Sequence, residues 1–251
     1  MNIKIVVAAH KNYEMPSDPM YLPVHVGAAG KESIGYQRDD EGENISLKNP
    51  EYCELTGIYW AWKNLEADYI GLAHYRRHFG KSPDKLLDTD SAKKLLEKCD
   101  VIVPKIRNYY IENLYSHYVN TLHADPLDKT FEIIKEKYPD YAPEMQKLHT
   151  RKSAHMFNMF IMKKEYFDAY CEWLFDILGE LETRVDSSQY DTFHARFYGR
   201  VSELLLDVWL NTNGIKSLDC PFVYMEKVNW FKKGMSFLMA KFFKKKYDKS
   251  F

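Results

Sequence analysis

The stretch Asp68-Tyr69-Ile70-Gly71-Leu72-Ala73-His74-Tyr75-Arg76-Arg77-His78-Phe79 decides the reading of this chain. A short apolar strand runs straight into two arginines, two histidines and a tyrosine. In an open α/β sheet, ligands bind in the crevice beyond the carboxyl ends of the strands. Adjacent guanidinium groups there present planar forks suited to phosphate or carboxylate oxygens. An anionic ligand is therefore expected at this strand end. The alternative is that Arg76 and Arg77 form surface ion pairs while the histidines fill space.

Upstream, Ile3-Lys4-Ile5-Val6-Val7-Ala8-Ala9-His10 is a β-branched apolar run that fits a central parallel strand and ends in His10-Lys11. A Pro-rich stretch over residues 15–23 gives way to a second short strand around Val24-His25-Val26, followed by the flexible Gly27-Ala28-Ala29-Gly30. Residues 34–49 are polar, centred on Arg38-Asp39-Asp40-Glu41-Gly42-Glu43-Asn44-Ile45-Ser46, and read as a long loop of the kind that carries function. Pro50 opens a helix to about residue 64, because Leu55, Ile58, Tyr59, Trp62 and Leu65 recur at helical spacing. Glu54, Thr56 and Lys63 are left as candidate ligand contacts. Trp60 and Trp62 cannot share a helix face, so one is expected in the core and the other against a base or sugar.

Downstream, residues 90–98 read as a helix with Leu95 and Leu96 inward, and Val101-Ile102-Val103-Pro104 as a strand. A tyrosine- and histidine-rich stretch over residues 108–123 follows. Asp125-Pro126 then begins a helix to Tyr138, with Asp125 as its cap. Ala154-His155-Met156-Phe157-Asn158-Met159-Phe160-Ile161-Met162 is expected as an inner strand, with a helix over residues 165–181 packed on it. Asn158 within an apolar strand costs stability unless hydrogen-bonded, which makes it a structural anchor or a sugar contact. His155 reads as a satisfied core histidine before a catalyst. Residues 196–210 become helical in their second half, so Ser202-Glu203 is expected to open a helix after a glycine-containing loop. Strands alternating with helices, without repeat or linker, imply an α/β domain over residues 1–226 with a mostly parallel or mixed sheet.

At 251 residues the chain suits one large α/β domain, and its 45% hydrophobic fraction excludes disorder. The 35 basic and 36 acidic residues leave a formal charge of -1, so no global field draws the chain to nucleic acid. Aromatic residues are abundant, and such faces line carbohydrate and nucleobase sites, although most belong to the core. Cys53, Cys99, Cys171 and Cys220 are widely spaced and read as reduced, buried thiols, not as a zinc site or disulfide framework. No signal peptide precedes Met1-Asn2-Ile3-Lys4 and no apolar run approaches bilayer length, so a cytoplasmic protein is expected.

The stretch from Lys227 to Lys246 departs from the neutral average. Lys227, Lys232, Lys233, Lys241, Lys244, Lys245 and Lys246 interleave with Trp230, Phe231, Phe237, Phe242 and Phe243, with no acidic residue among them. Basic amphipathic helices of this kind bind anionic membrane surfaces. Residues 227–251 are therefore expected to hold the protein at the inner face of the cell membrane. A tail packed loosely on the domain is the alternative.

Asn49-Pro50 with Glu54-Leu55-Thr56 and Tyr59-Trp60-Ala61-Trp62-Lys63-Asn64, followed by Gly71-Leu72-Ala73-His74-Tyr75-Arg76-Arg77, resemble the motifs of bacterial capsular and exopolysaccharide glycosyltransferases. The strand ending at His10-Lys11, the residues Asp39, Asp40, Gly42, Asn44, Ile45 and Ser46, and the later Asn158 and Ser202-Glu203 also fit that pattern. The resemblance extends from residue 1 to about residue 230. It implies a GT-A-like fold, with a nucleotide-sugar donor lying across the strand ends. It also implies transfer of a hexose, galactose or galactofuranose among the candidates, from a UDP-sugar to a polyprenyl-diphosphate-linked glycan acceptor.

Most such folds end the strand corresponding to residues 69–73 in an Asp-x-Asp pair that holds a divalent metal. Here His74-Tyr75-Arg76 stands in that place. Arg76 and Arg77 are therefore expected to stabilise the departing diphosphate themselves, with no metal or other cofactor required. A metal held by His74 and His78 is the alternative. An inverting transferase needs a carboxylate base near the acceptor hydroxyl. Glu203 is the candidate, a dipole-stabilised helix carboxylate is its other reading, and Asp39, Asp40 and Asp191 compete for the role. His10, Lys11, Asp40, Asn44, Glu54, Thr56, Lys63, His74, Tyr75 and Asn158 are the expected donor and sugar contacts. Arg196 and Arg200 either grip phosphate or a carboxylated acceptor or pair at the surface. The competing function is a non-catalytic nucleotide- or carbohydrate-binding protein with the same fold.

Overall fold

The computed structural model of the chain describes residues 1–226. The basic segment 227–251, with its expected membrane contact, lies outside the described residues. The chain opens with β1 (Ile3–Ala9), buried along nearly its whole length because its β-branched and small side chains face protein on both sides. It pairs in parallel with β2 (Tyr21–His25), which pairs in parallel with the short β3 (Gln37–Arg38). The helices α1 (Asn49–Tyr52) and α2 (Leu55–Asn64) return the chain to β4 (Tyr69–His74), which lies on the other side of β1, again in parallel. The strand order therefore reverses between β1 and β4. The crevice beyond their carboxyl ends is the topological switch point, where open α/β sheets bind ligands.

A turn through Tyr75 and Arg76 leads β4 into β5 (Arg77–Ser82), which pairs with β6 (Lys85–Leu86). Next come α3 (Thr89–Leu96), β7 (Val101–Pro104), β8 (Arg107–Asn108), α4 (Leu114–Thr121), α5 (Asp125–Lys137), α6 (Ala142–Gln146) and β9 (Ser153–Ala154), the partner of β8. The strand β10 (Phe160–Lys163) inserts antiparallel between β4 and β7. Gly71 permits that insertion, because a Cβ there would lie 2.5 Å from the Phe160 carbonyl oxygen. The helices α7 (Lys164–Arg184) and α8 (Phe197–Thr212) follow, then β11 (Leu218–Cys220) beside β7, and β12 (Phe222–Tyr224), which crosses to β5. The chain has the expected α/β architecture, a central and mostly parallel sheet flanked by helices.

The helix α7 buries Phe167, Tyr170, Leu174, Ile177, Leu178 and Leu181 at helical spacing. By contrast α8 is apolar on nearly every side, which marks it as a central helix. Between Phe197 and Leu210 only Arg200 and Glu203 are not buried. Three residues apart, they share one helix face.

Several expected elements are corrected. The apolar strand expected in 68–79 is β4, but Arg77, His78 and Phe79 beyond it form a second strand that folds back as a hairpin. The helix over residues 50–64 is two helices, because Cys53 at φ 53° interrupts it. Trp60 and Ala61 join Leu55 and Ile58 inside, while Tyr59 and Trp62 are half-buried. The strand over residues 154–162 is broken by a left-handed turn at Phe157, φ 76°, and Asn158, φ 54°. Asp125 is the first residue of α5 and Ala124 takes its cap position. The helix α8 starts at Phe197, so Gly199 lies within it and Ser202-Glu203 does not open it. All four cysteines are free, but only Cys171 and Cys220 are fully buried. Among the described residues no helix is long and apolar enough to cross a membrane.

Candidate functional site

Parallel neighbours end side by side, so β1 and β4 deliver His10, Lys11, His74, Tyr75 and Arg76 to one crevice, with Ala8 opposite His74. Tyr13 stacks on Tyr75 with ring centroids 3.8 Å apart and 18° between planes, and His10 meets both rings edge-on. Burial, then the charges of Lys11, Arg76, Lys31 and Arg196, hold the His10 imidazole below its ordinary pKa. Those cations arrive from four places: the end of β1, the β4–β5 turn, the loop after β2 and the approach to α8. Lys11 lies 5.1 Å from the centre of the Tyr13 ring. Arg196 donates from Nε to Cys53 Sγ at 2.9 Å. Arg76 meets Glu226 at 3.1 Å, with both side chains about half exposed, so water screens the pair and leaves it weak.

The facing bank carries carboxylates. Glu203 accepts from the Phe157 N–H at 3.3 Å, and its other oxygen lies 4.0 Å from Arg200 Nη1. Both contacts are long, so an ionised Glu203 retains capacity to accept a stronger hydrogen bond. Nearby, buried Glu112 accepts from His117 Nδ1 at 3.1 Å and from Asn120 Nδ2 at 2.8 Å. Burial lowers the His117 pKa against the opposing pull of Glu112. Tyr109 packs on the His117 ring at 4.2 Å.

The left-handed turn at Phe157 and Asn158 joins the two banks. His74 Nε2 donates to the Phe157 carbonyl at 2.6 Å, while the Phe157 N–H donates to Glu203. Asn158 donates to Glu54 Oε1 at 2.7 Å and to the Gly199 carbonyl at 3.1 Å, and accepts from Ser202 Oγ at 2.9 Å. Side chains other than glycine at positive φ carry a conformational cost, and such positions cluster at functional sites where the surroundings over-determine them. Asn158 is thus a structural anchor between the start of α2 and α8, and Glu54 is its partner.

Other expected site residues are occupied elsewhere. Asp39 is fully buried and accepts from the Gly27 N–H at 2.8 Å, the Ala28 N–H at 3.0 Å, Ser46 Oγ at 2.5 Å and Thr56 Oγ1 at 2.6 Å. That saturation removes Asp39 as a base and Thr56 as a ligand contact. Asp40 holds Arg38 in a two-bond fork at 2.8 and 2.6 Å, which keeps its carboxyl below the usual range. Asn44 donates to the carbonyls of Asp40 and Gly42 and shapes the loop. Asp191 accepts from the N–H groups of Phe193 and His194. Lys63 lies in the last turn of α2, the end leading to the start of β4, 3.6 Å over Trp62 and 3.5 Å from Glu43. A helix between parallel strands must run back along the sheet, which carries Lys63 away from the crevice.

His78 is fully buried against Tyr21, and burial lowers its pKa to about 4. The charge of His74 acts on it as well, and both its ring nitrogens are buried without a hydrogen bond to any described residue. Among the described residues no group of three or more His, Cys, Asp or Glu side chains is arranged to hold a metal ion. A shallow depression at the amino-terminal end of β4 is lined by Asp68, Lys163, Lys164, Glu165 and Asp168, whose charges are matched in ion pairs. Tyr13, Lys31, Arg107, Glu112, His117 and Phe157 join the crevice without having been singled out in the sequence. The tyrosine- and histidine-rich composition of residues 108–123 is the one local signal that pointed toward any of them.

The family model described as a domain of unknown function, DUF4422, matches residues 4–214, and the chain belongs to that family. Among solved structures it is similar to the apo structure of the WbbM bifunctional glycosyltransferase, at 30% identity and a TM-score of 0.85, over 90% of this chain and 46% of that one. The chain therefore spans about half the length of that protein. Comparison with curated proteins gives no match. The fold is GT-A-like.

Proposed function

We propose that this DUF4422 protein is a glycosyltransferase that moves a hexose from a UDP-sugar to a lipid-linked glycan in capsular or exopolysaccharide synthesis. One observation carries the reading: a cation cluster at the β1–β4 switch point faces a weakly bonded carboxylate, Glu203, across a strained turn. The similarity to a named glycosyltransferase at 30% identity supports it. The donor diphosphate lies against Lys11, Lys31, Arg76 and Arg196, whose charges stabilise the negative charge that grows on the leaving group. The stacked Tyr13 and Tyr75 offer an aromatic face to the uracil. Glu203 takes the acceptor hydroxyl proton as that oxygen attacks the anomeric carbon and the bond from that carbon to the diphosphate oxygen breaks.

The transfer is metal-independent in this reading. His74, Tyr75 and Arg76 end the strand where a carboxylate pair would hold a cation, and Asp39 and Asp40 are committed to other hydrogen bonds. The donor sugar is galactose or galactofuranose, and residues 227–251 hold the enzyme at the cytoplasmic face of the membrane. The test is UDP release from UDP-galactose and UDP-galactofuranose, with and without lipid-linked glycan. Glycan-dependent release is expected. UDP binding with no turnover across a broad donor and acceptor panel would instead make the protein a nucleotide-binding module.

A further inference from the structure

We infer that His155, held as an imidazolium between Asp207 of α8 and Asp219 of β11, is a positioning residue that fixes the Phe157–Asn158 turn at the crevice and slackens it when the ring loses its proton. That the turn serves catalysis rests on the glycosyltransferase reading; the bracket around His155 does not. Expected as a satisfied core histidine, His155 is satisfied by two carboxylates from different elements. It follows β9 and stands two residues before Phe157. Its backbone N–H donates to Asp207 Oδ2 at 3.1 Å and its Nδ1 to Asp207 Oδ1 at 2.6 Å. Its Nε2 donates to Asp219 Oδ1 at 3.2 Å, and the other Asp219 oxygen accepts from the Ile106 N–H at 3.3 Å. The His155 and Asp207 side chains are 13% and 11% exposed, and that of Asp219 is 50% exposed.

Ionised carboxylates only accept hydrogen bonds, and a neutral imidazole has a single N–H to give. Satisfying both aspartates takes a donor on each ring nitrogen, which only the protonated ring supplies. Burial opposes that charge, but the hydrogen bond and charge of Asp207, then those of Asp219, outweigh it and hold the His155 pKa above its ordinary value. These two carboxylates, from α8 and β11, are the charges that act on the ring. Loss of the proton leaves one N–H for two acceptors. Asp207 keeps it, being the more buried and already bound to the backbone N–H, and the Nε2 lone pair is then turned against the Asp219 carboxylate.

This parting reaches the crevice through short links. Asp219 sits in β11, and β12 directly after it sets Phe222 5.3 Å and Tyr224 6.4 Å from the Phe157 ring. Arg77 completes the cluster, 4.3 Å from the Phe157 ring and 5.3 Å from that of Tyr224, so it packs on the turn while Arg76 occupies the β4–β5 bend. The His155 bond to Asp219 therefore ties the turn to the segment that covers its ring. Phe157 and Asn158 both hold positive φ, a conformation that persists only where the surroundings over-determine it. Phe157 in turn donates its N–H to Glu203, and its carbonyl accepts from His74. The contribution of His155 is complete below pH 6.5, its ordinary pKa, and is lost as the pH rises through the raised folded value.

The experiment uses the full chain and the variants His155→Gln and Asp219→Asn, each checked for folding by circular dichroism. NMR follows the His155 ring through a pH titration and the hydrogen exchange of the Phe157 amide, expressed as protection relative to an unstructured chain. In the wild type His155 should titrate above pH 6.5, and Phe157 protection should fall by at least about fivefold across that titration. Asp219→Asn, at a half-exposed position, should move the ring titration and the protection step together to lower pH. His155→Gln has no proton to lose and should show low Phe157 protection with no step. In turnover, wild-type kcat on UDP-galactose or UDP-galactofuranose should fall at least about fivefold over the same pH range with UDP affinity unchanged, and the fall should be absent in His155→Gln. Wild-type His155 titrating at or below pH 6.5, flat Phe157 protection, or a step that persists in His155→Gln would overturn the bracket. A protection step beside a pH-independent kcat would overturn the positioning role. A protection step without turnover on any glycan would sink the glycosyltransferase reading alone.

Discussion

The two banks of the crevice are built from opposite chemistry. On the β1–β4 side Lys11, Lys31, Arg76 and Arg196 gather around His10, with the stacked Tyr13 and Tyr75 beside them. On the α8 side stand Glu203, Glu112 and His117. The first bank has the charge to hold an anion throughout a reaction and little to accept a proton with. The second has a carboxylate whose existing bonds are long. The contrast with Asp39 is instructive, since that carboxylate is saturated by four donors. A carboxylate's availability, more than its presence in a suggestive motif, decides whether it can do proton chemistry.

Replacing the base should have the largest effect. Glu203→Gln keeps the shape and removes the proton-accepting charge, so turnover should fall by about 10²- to 10⁴-fold while UDP affinity stays unchanged. Product anomeric configuration, read by NMR in parallel, should be inverted. Retention of most activity, or a retained configuration, would erase the functional difference between the banks.

On the cationic bank, Arg76→Ala should lower kcat by up to about 10²-fold and weaken UDP binding less, because the charge on the diphosphate grows as the bond breaks. Equal losses in binding and turnover would make Arg76 a simple anchor for the donor. That result would sharpen the comparison by moving leaving-group stabilisation to Lys11, Lys31 or Arg196.

Beneath the first bank, His78 tests the scaffold. The unfolded chain protonates this histidine near pH 6.5, whereas the folded chain, through burial and then the charge of His74, resists until about pH 4. Its contribution to stability is therefore complete above pH 6.5 and is lost as pH falls toward 4, by about 3 kcal/mol. His78→Phe should remove that share of the acid sensitivity, as measured by urea unfolding at pH 7 and pH 4. Equal acid sensitivity in the two proteins would show that His78 is not held neutral. Smallest of all should be the response to chelation: EDTA is expected to leave turnover unchanged, and an absolute requirement for added manganese or magnesium would end the arginine-for-metal proposal.

Much of the frame was legible in short stretches of chain. The unbroken apolar runs of β1 and β4 mark them as covered strands, and the polar residues that end each run, His10-Lys11 and His74-Tyr75-Arg76, mark where the crevice opens. These features depend on residues a few positions apart, since strand and helix periodicity are local. The roles of the individual polar residues are not local. Asp39 is silenced by Thr56, 17 positions away; Glu203 meets Phe157 across 46, and Asn158 meets Glu54 across 104. The separation of Arg76 from Arg77 likewise needed the hairpin that β12 completes. Periodicity and turn chemistry act through neighbours in sequence, whereas the saturation of a hydrogen-bonding group depends on which distant segments the packed core brings to it.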